Sequence, residues 1–459
     1  PEQRDPGAMM EAIRTRSGQG QSRDLCVMRD LPVWLSGPSG ATTLRQLRNL
    51  ARSLPTAPRE RAQALVVLTT TATLPDELSG HATVLEWPLP DKAEIASILD
   101  AAIESLPDKY KAEAAPNGVR DAAIDAAVGL TGEEAQSCYA RSLVQHRKID
   151  PAVVAREKRR IITRERVLEW YDPIPGGLDV VGGLENLKAW LVARRSAYSA
   201  RARAYGLPAP KGCLLVGVPG CGKSLTAKAV ATAWGVPLLR LDLGALKRKF
   251  VGESEGNLRK AFRVIEAIGR CVVWLDEMEK ALQGATSGSA DGGVSSDALG
   301  AVLSWMQERQ GEAFVIATAN DVESLPPELL RKGRFDEVWW VDLPTPTERE
   351  AILAATLQNH GRGRVRINLS EVSKHCTDFT GSEVAALVPD ALYTAFAERA
   401  REITTADLVS AAGTVTPLAK TAAEKVKRLR EWAVGRARPA TRIDVSNKTR
   451  GASGRQLDI

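Results

Sequence analysis

Gly217-Val218-Pro219-Gly220-Cys221-Gly222-Lys223-Ser224 follows the apolar run Cys213-Leu214-Leu215-Val216 and precedes a helical pattern from Lys223 to Trp234. Buried strand, glycine loop and helix in that order make a phosphate-binding P-loop. The loop wraps a polyphosphate with backbone N–H groups and aims a helix N-terminus at it. Glycines let the backbone come close, so Gly217, Pro219, Gly220, Cys221, Gly222 and the following Leu225 are expected against the nucleotide. Lys223 would reach the β- and γ-phosphates, and the Ser224 hydroxyl would hold Mg²⁺.

Outward from the loop, strands are expected at 213–217, 237–241, 271–275 and 313–318, alternating with helices at 223–234, 256–268 and 297–309. Such βαβ repetition predicts an α/β fold, a parallel sheet with helices on both faces. This large module spans 179–344. A Pro/Gly-rich linker at 166–178 precedes it, and the polar stretch Gly284–Gly293 reads as a mobile loop. Residues 345–412 carry helical spacing without strands and read as a small helical lid. A C-terminal helix at 413–435 and a basic tail at 436–459 follow.

The run Val272-Val273-Trp274-Leu275 ends in Asp276-Glu277. Transfer of a phosphoryl group to water needs a metal anchor and a group that activates the water. Asp276 at the strand tip suits Mg²⁺ and Glu277 suits the water, because adjacent side chains on a strand point to different sides. Asn320 closes the next strand and would hold the water or the γ-phosphate without adding charge; a plain strand-end turn residue is the alternative. Arg331 and Arg334 lie too far along the chain to serve their own P-loop easily. Guanidinium groups stabilise charge spreading on a transferring phosphoryl group and can be supplied in trans; a charged surface loop is the other reading. Phe250-Val251-Gly252, flanked by Lys247, Arg248, Lys249 and Glu253, reads as an exposed apolar grip on a hinge, against simple core packing of Phe250.

An internal similarity links the two halves. Residues 66–78 (VVLTTTATLPDEL) match 315–329 (VIATANDVESLPPEL). Each is followed by a further expected strand ending in Pro, at 84–90 and 338–346, and then a helix. Leu130-Thr131-Gly132-Glu133-Glu134 matches Phe379-Thr380-Gly381-Ser382-Glu383. Two copies of one architecture are the economical reading, with residues 1–165 as the degenerate copy. Gly37-Pro38-Ser39-Gly40 lacks the Gly-Lys-Ser ending, and no counterpart of Arg331 or Arg334 exists, so this copy is not expected to hydrolyse nucleotide. Two unrelated α/β domains remain the alternative.

The chain of 459 residues has 44% apolar and 26% charged residues, ordinary for a soluble globular protein of two to three domains. Its net charge of +6 is uneven: residues 425–459 hold ten Lys/Arg against three Asp/Glu, +7 by subtraction, so the remainder is near neutral. A basic tail can meet nucleic acid, acidic protein or a membrane surface, or simply be solvated. Six cysteines without C-x-x-C spacing favour a reducing compartment, and a cytoplasmic location is expected. Cys213 and Cys271 read as core. Oxidation of Cys221 would block nucleotide, though tolerance of a small side chain is the simpler reading. No apolar stretch reaches membrane-spanning length and no signal peptide is visible. The chain starts at Pro1, so a native N-terminus upstream is expected.

GVPGCGKS, VVWLDE, FVGESE, ATAN and LLRKGRFDE, in this order and spacing, resemble AAA ATPases of the protein-remodelling group over about Asp179 to Leu387. The resemblance implies that Val181 and Gly182 lie beside the adenine, that His360 is near the ribose, and that Gly381 and Ser382 form the sensor-2 region. It makes Asn320 sensor 1, Arg331 and Arg334 arginine fingers, and Phe250, Val251 and Gly252 the pore loop. Lys332 stands where the family commonly has Pro. The Leu44–Arg52 stretch and the ending Arg430–Ala440 look like one subfamily, named after a hypothetical chloroplast reading frame. The resemblance implies ATP and Mg²⁺, a homo-oligomeric ring, usually a hexamer, and a protein client. An ATP-gated scaffold is the second reading. A nucleic-acid motor is third, supported by the basic tail alone, and the absence of HExxH gives no support for a built-in zinc protease.

Overall fold

The computed structural model describes residues 5–19, 23–35, 40–69, 75–85, 87–114, 118–164, 168–243, 254–282, 292–309, 311–331 and 333–442. They belong to two compact units, Pro1–Pro88 and Leu89–Ile459. The division falls at Pro88, inside the span 1–165 expected as one degenerate copy. Residues 92–164 go with the second unit because its helix Pro151–Arg164 packs on the sheet there, with Ile162 in the main core and Lys158 Nζ 5.8 Å from the Trp170 ring.

In the first unit β1 (Asp24–Arg29) and β2 (Gln63–Leu68) pair in parallel, with Met28 opposite Val67. Cys26, Met28, Leu47, Leu50 and Leu78 form its core with Met10 and Ile13 of helix Pro6–Gln19. The strand expected at 84–90 is absent among the described residues. Its counterpart in the second unit, 338–346, pairs with the P-loop strand; the described residues of the first unit have no such strand to pair with. Pro88 and Pro90 also lack ladder donors.

The second unit holds a seven-stranded sheet in the order β3-β5-β6-β7-β4-β8-β9. The strands are β3 (Leu168–Tyr171), β4 (Gly212–Gly217), β5 (Leu238–Leu241), β6 (Val272–Leu275), β7 (Phe314–Ala319), β8 (Glu337–Val341) and β9 (Arg438–Pro439). All pairings are parallel except β3 against β5. Every residue of β4, β6 and β7 is buried, as a parallel sheet covered on both faces requires. Helices Lys223–Trp234, Ser254–Ile268 and Gly292–Glu308 fall where the periodicity puts them, the last starting earlier than expected. β7 lies between the P-loop strand and β6, so Asn320 ends between the P-loop and Asp276.

β3 lies in the stretch expected as linker. Trp170 and Tyr171 anchor it, Tyr171 meeting Trp274 edge-on at 5.4 Å between centroids. The lid is four helices, Pro346–Asn359, Leu369–His375, Gly381–Ala397 and Thr405–Thr414, around its own core. Thr131 and Thr380, the matched positions of the two halves, each cap a helix through a reciprocal capping box, as Asp91 and Thr345 do. Beyond the lid, helix Ala423–Ala433 returns Val426, Leu429 and Ala433 to the main core. The first residues of the expected tail then become β9. The pore-loop residues Phe250, Val251 and Gly252, Lys332 and positions 443–459 lie outside the described residues. Among those described, no helix is long and apolar enough to cross a membrane.

Candidate active site

The P-loop opens a cavity of ≈ 580 Å³ between the sheet and the lid. Pro219, Gly220, Cys221, Gly222, Lys223, Ser224 and Leu225 line it, with Asp276, Glu277, Thr318 and Asn320 at one end. Lys223 is buried and donates from Nζ to the carbonyls of Gly217 (2.9 Å) and Val218 (2.8 Å). Burial pushes its ammonium down to about 8, with Cys221, Glu279 and Asp276 opposing. A triphosphate would give this cation the anionic partner that carbonyls do not. Burial also pushes the Cys221 thiol up to about 11, so it stays neutral beside the loop.

The metal end is one hydrogen-bonded chain. Ser224 Oγ donates to Asp276 Oδ1 at 2.9 Å, and Thr318 Oγ1 donates to the same oxygen at 2.8 Å. The Glu277 amide donates to Thr318 Oγ1 at 3.0 Å. A hydroxyl and a carboxylate converging at this distance fit a hard cation that takes one or two protein oxygens and completes its shell with phosphate and water. No group of three or more His, Cys, Asp or Glu side chains among the described residues would hold a metal alone.

Glu277 has φ +48°, a left-handed conformation that bulky residues avoid. Its Oε1 accepts from Asn320 Nδ2 at 3.3 Å and its Oε2 meets Lys280 Nζ at 2.8 Å. Sequence reasoning missed Thr318 and Glu279. Glu279 is buried; its Oε1 accepts the Asn320 amide at 3.0 Å, and burial raises its pKa. Its place one helical step beyond Asp276-Glu277 was the available signal. Thr318 offered none, being a polar residue inside an apolar strand.

At the other end Val180, Val181, Gly182, Leu184 and Ile352 form an apolar wall suited to a base, with Thr356 and Asn359 also lining it. A Cβ on Gly182 would lie 2.6 Å from the Ile352 amide nitrogen, so only glycine lets the lid helix come this close. The Ser382 amide donates to Gly220 O at 2.8 Å, which brings Gly381 and Ser382 to the P-loop. His360 is not among the lining residues. It is the exposed C-cap of the first lid helix, and Asn359, one residue earlier, faces the cavity instead.

Arg331 and Arg334 do not line the cavity of their own chain. Arg331 is exposed, while Arg334 is half-buried and donates to the Glu328 carbonyl. Phe335 is buried, and Asp336 fixes the start of β4 by accepting the amides of Lys211 (2.8 Å) and Gly212 (3.0 Å).

A family model described as ATPase family associated with various cellular activities (AAA) matches residues 213–343. Models for the SpoVK-like AAA ATPase N-terminal domain and second domain match residues 1–87 and 93–165. An uncharacterized AAA domain-containing protein, ycf46 of Guillardia theta, is 37% identical over 413 residues, covering 89% of this chain and 79% of its own. Its namesake in Pyropia yezoensis is 35% identical over 443 residues, covering 95% and 87%. The peroxisomal ATPase pex6 of Schizosaccharomyces pombe is 29% identical over 329 residues, 69% of this chain and 34% of its own.

Proposed function

We propose a function on the premise that the chain belongs to the ycf46 family of AAA ATPases, with SpoVK-like N-terminal and second domains ahead of the AAA module. It is a Mg²⁺-dependent ATPase that works as a homo-oligomeric ring, usually hexameric in this group, and rearranges a protein client. The chain of hydrogen bonds from Ser224 through Asp276 and Thr318 to Glu277 carries this reading.

Lys223 leaves its loop carbonyls for the β- and γ-phosphates, and the P-loop amides neutralise the rest of the chain's charge. Ser224 and Asp276 would hold Mg²⁺, which when bound would draw charge from the phosphate oxygens. Glu277 takes the proton of the attacking water, and Asn320 holds both that carboxylate and the water in line. Val181 and Gly182 hold the base. Arg331 of a neighbouring copy completes the site, since in its own chain it is exposed and away from the cavity. Arg334 seats the turn that carries it. Phe250, Val251 and Gly252 grip the client. The first unit takes no part in hydrolysis.

Glu277→Gln tests the reading. It should keep ATP binding and lose hydrolysis by about 10²–10⁴-fold, the range for a positioned base. Client remodelling should stop as well. If function persists with ATP locked in, the ATP-gated scaffold replaces the motor.

A further inference from the structure

The base end of the cavity is tied to the last described residues of the chain. Leu184, in its wall, has φ +58°, a conformation that a leucine keeps only when its surroundings hold it. Its amide donates to Glu348 Oε1 at 2.8 Å. The same oxygen accepts the Thr441 hydroxyl at 2.8 Å, and Glu348 Oε2 accepts the Thr345 amide, at the lid hinge, at 2.9 Å. Glu348 is buried and itself lines the cavity. One carboxylate thus joins the entry segment, the lid and the C-terminal segment.

The C-terminal segment is held there independently. The Ala440 amide donates to Trp340 O at 2.9 Å, continuing the β8–β9 ladder. Ala440 O accepts the amides of Asn186 (3.0 Å) and Leu187 (3.2 Å), filling free donors at the start of helix Glu185–Arg195. Asn186 Nδ2 donates to the carbonyls of Pro439 (3.2 Å) and Thr441 (2.9 Å). None of these bonds reaches Lys223, Asp276 or Glu277.

We propose that Thr441 and Glu348 are positioning residues for nucleotide binding, and that residues 438–441 latch the base end of the site. The proposal rests on the nucleotide-site reading above and adds that affinity is set partly from the C-terminal segment. A contact confined to the base end acts equally on ADP and ATP and leaves the chemical step alone.

The test is ADP and ATP binding by calorimetry with the full chain, together with steady-state hydrolysis, for wild type, Thr441→Val, Thr441→Ser and Asn186→Ala. Loss of a hydrogen bond to a charged group predicts that Thr441→Val weakens both nucleotides about five- to twentyfold. KM should rise in parallel and kcat change less than twofold. Thr441→Ser keeps the hydroxyl and should restore binding. Asn186→Ala, which leaves Glu348 untouched, should weaken both nucleotides in the same direction and covers the case in which Thr441→Val does not fold. Wild-type affinity in Thr441→Val and Asn186→Ala, with only a lower melting temperature, would overturn the latch. So would a Thr441→Ser protein as weak as the valine variant, or a defect confined to kcat. Wild-type protein that binds neither nucleotide would instead refute the nucleotide-site reading itself.

Discussion

At Thr318 one hydroxyl does two things: it donates to Asp276 and accepts from the strained Glu277 amide. Thr318→Val keeps the shape but leaves that part-buried amide without its partner, at a cost of about 1–3 kcal/mol. Glu277 then loses the bond that fixes its left-handed backbone, so single-turnover hydrolysis should fall about tenfold while ATP affinity changes little. Unchanged hydrolysis would mean that Asn320 alone positions Glu277. The P-loop, Asp276, Glu277 and Asn320 were legible because each sits at a strand end, where chain order and chemistry coincide. Thr318 and Glu279 were not, because their roles come from a neighbouring strand and from the short helix Met278–Leu282. His360 follows directly on Asn359, which lines the cavity, and is itself the exposed C-cap of the lid helix.

Among the elements, the buried parallel strands were legible as continuous apolar runs. β3 and β9 were not. Their sequences, Leu168–Tyr171 beside a Pro/Gly-rich stretch and Arg438–Pro439 in a basic one, carry no run of their own and become strands by docking on β5 and β8. Tryptophans pack around this sheet, as Trp190 does against Phe314 and Trp339. Helix Pro151–Arg164 meets the sheet through a buried cation. Lys158 donates to Val128 O and sits over Trp170, and burial pushes its pKa down to about 8. An unfolded lysine titrates near 10.4. Between those values the unfolded chain binds more protons, so this group's contribution to stability rises with pH through that window and is least favourable below it. Urea unfolding of wild type and Lys158→Met should therefore show the variant gaining roughly 2 kcal/mol relative to wild type at pH 7 compared with pH 10. Parallel pH profiles would contradict a buried charge at this position.

Across the whole molecule, the charge excess of the C-terminal region divides into two parts. Arg430 pairs bidentately with Asp342 in the cavity wall, and Arg438 pairs with Glu337 at 2.9 Å. The basic residues up to Arg438 are therefore partly structural, so deleting residues 443–459 should leave nucleotide affinity unchanged, whereas deletion from Arg436 should weaken ADP binding and lower the melting temperature. Calorimetry on the two truncations checks this, and equal behaviour would contradict it. We propose that hydrolysis needs a guanidinium from another copy. Arg331 is exposed and does not line the cavity of its own chain, so the two halves of a catalytic centre can be placed on different chains. The most direct measurement mixes two variants, Glu277→Gln, which keeps its arginine but lacks a base, and Arg331→Ala, which keeps a whole site but donates no arginine. Each alone should hydrolyse ATP at least about 10²-fold more slowly than wild type, and the mixture should regain a substantial fraction of wild-type activity. A mixture as inert as its components, or an Arg331→Ala protein that turns over at the wild-type rate by itself, would contradict the account.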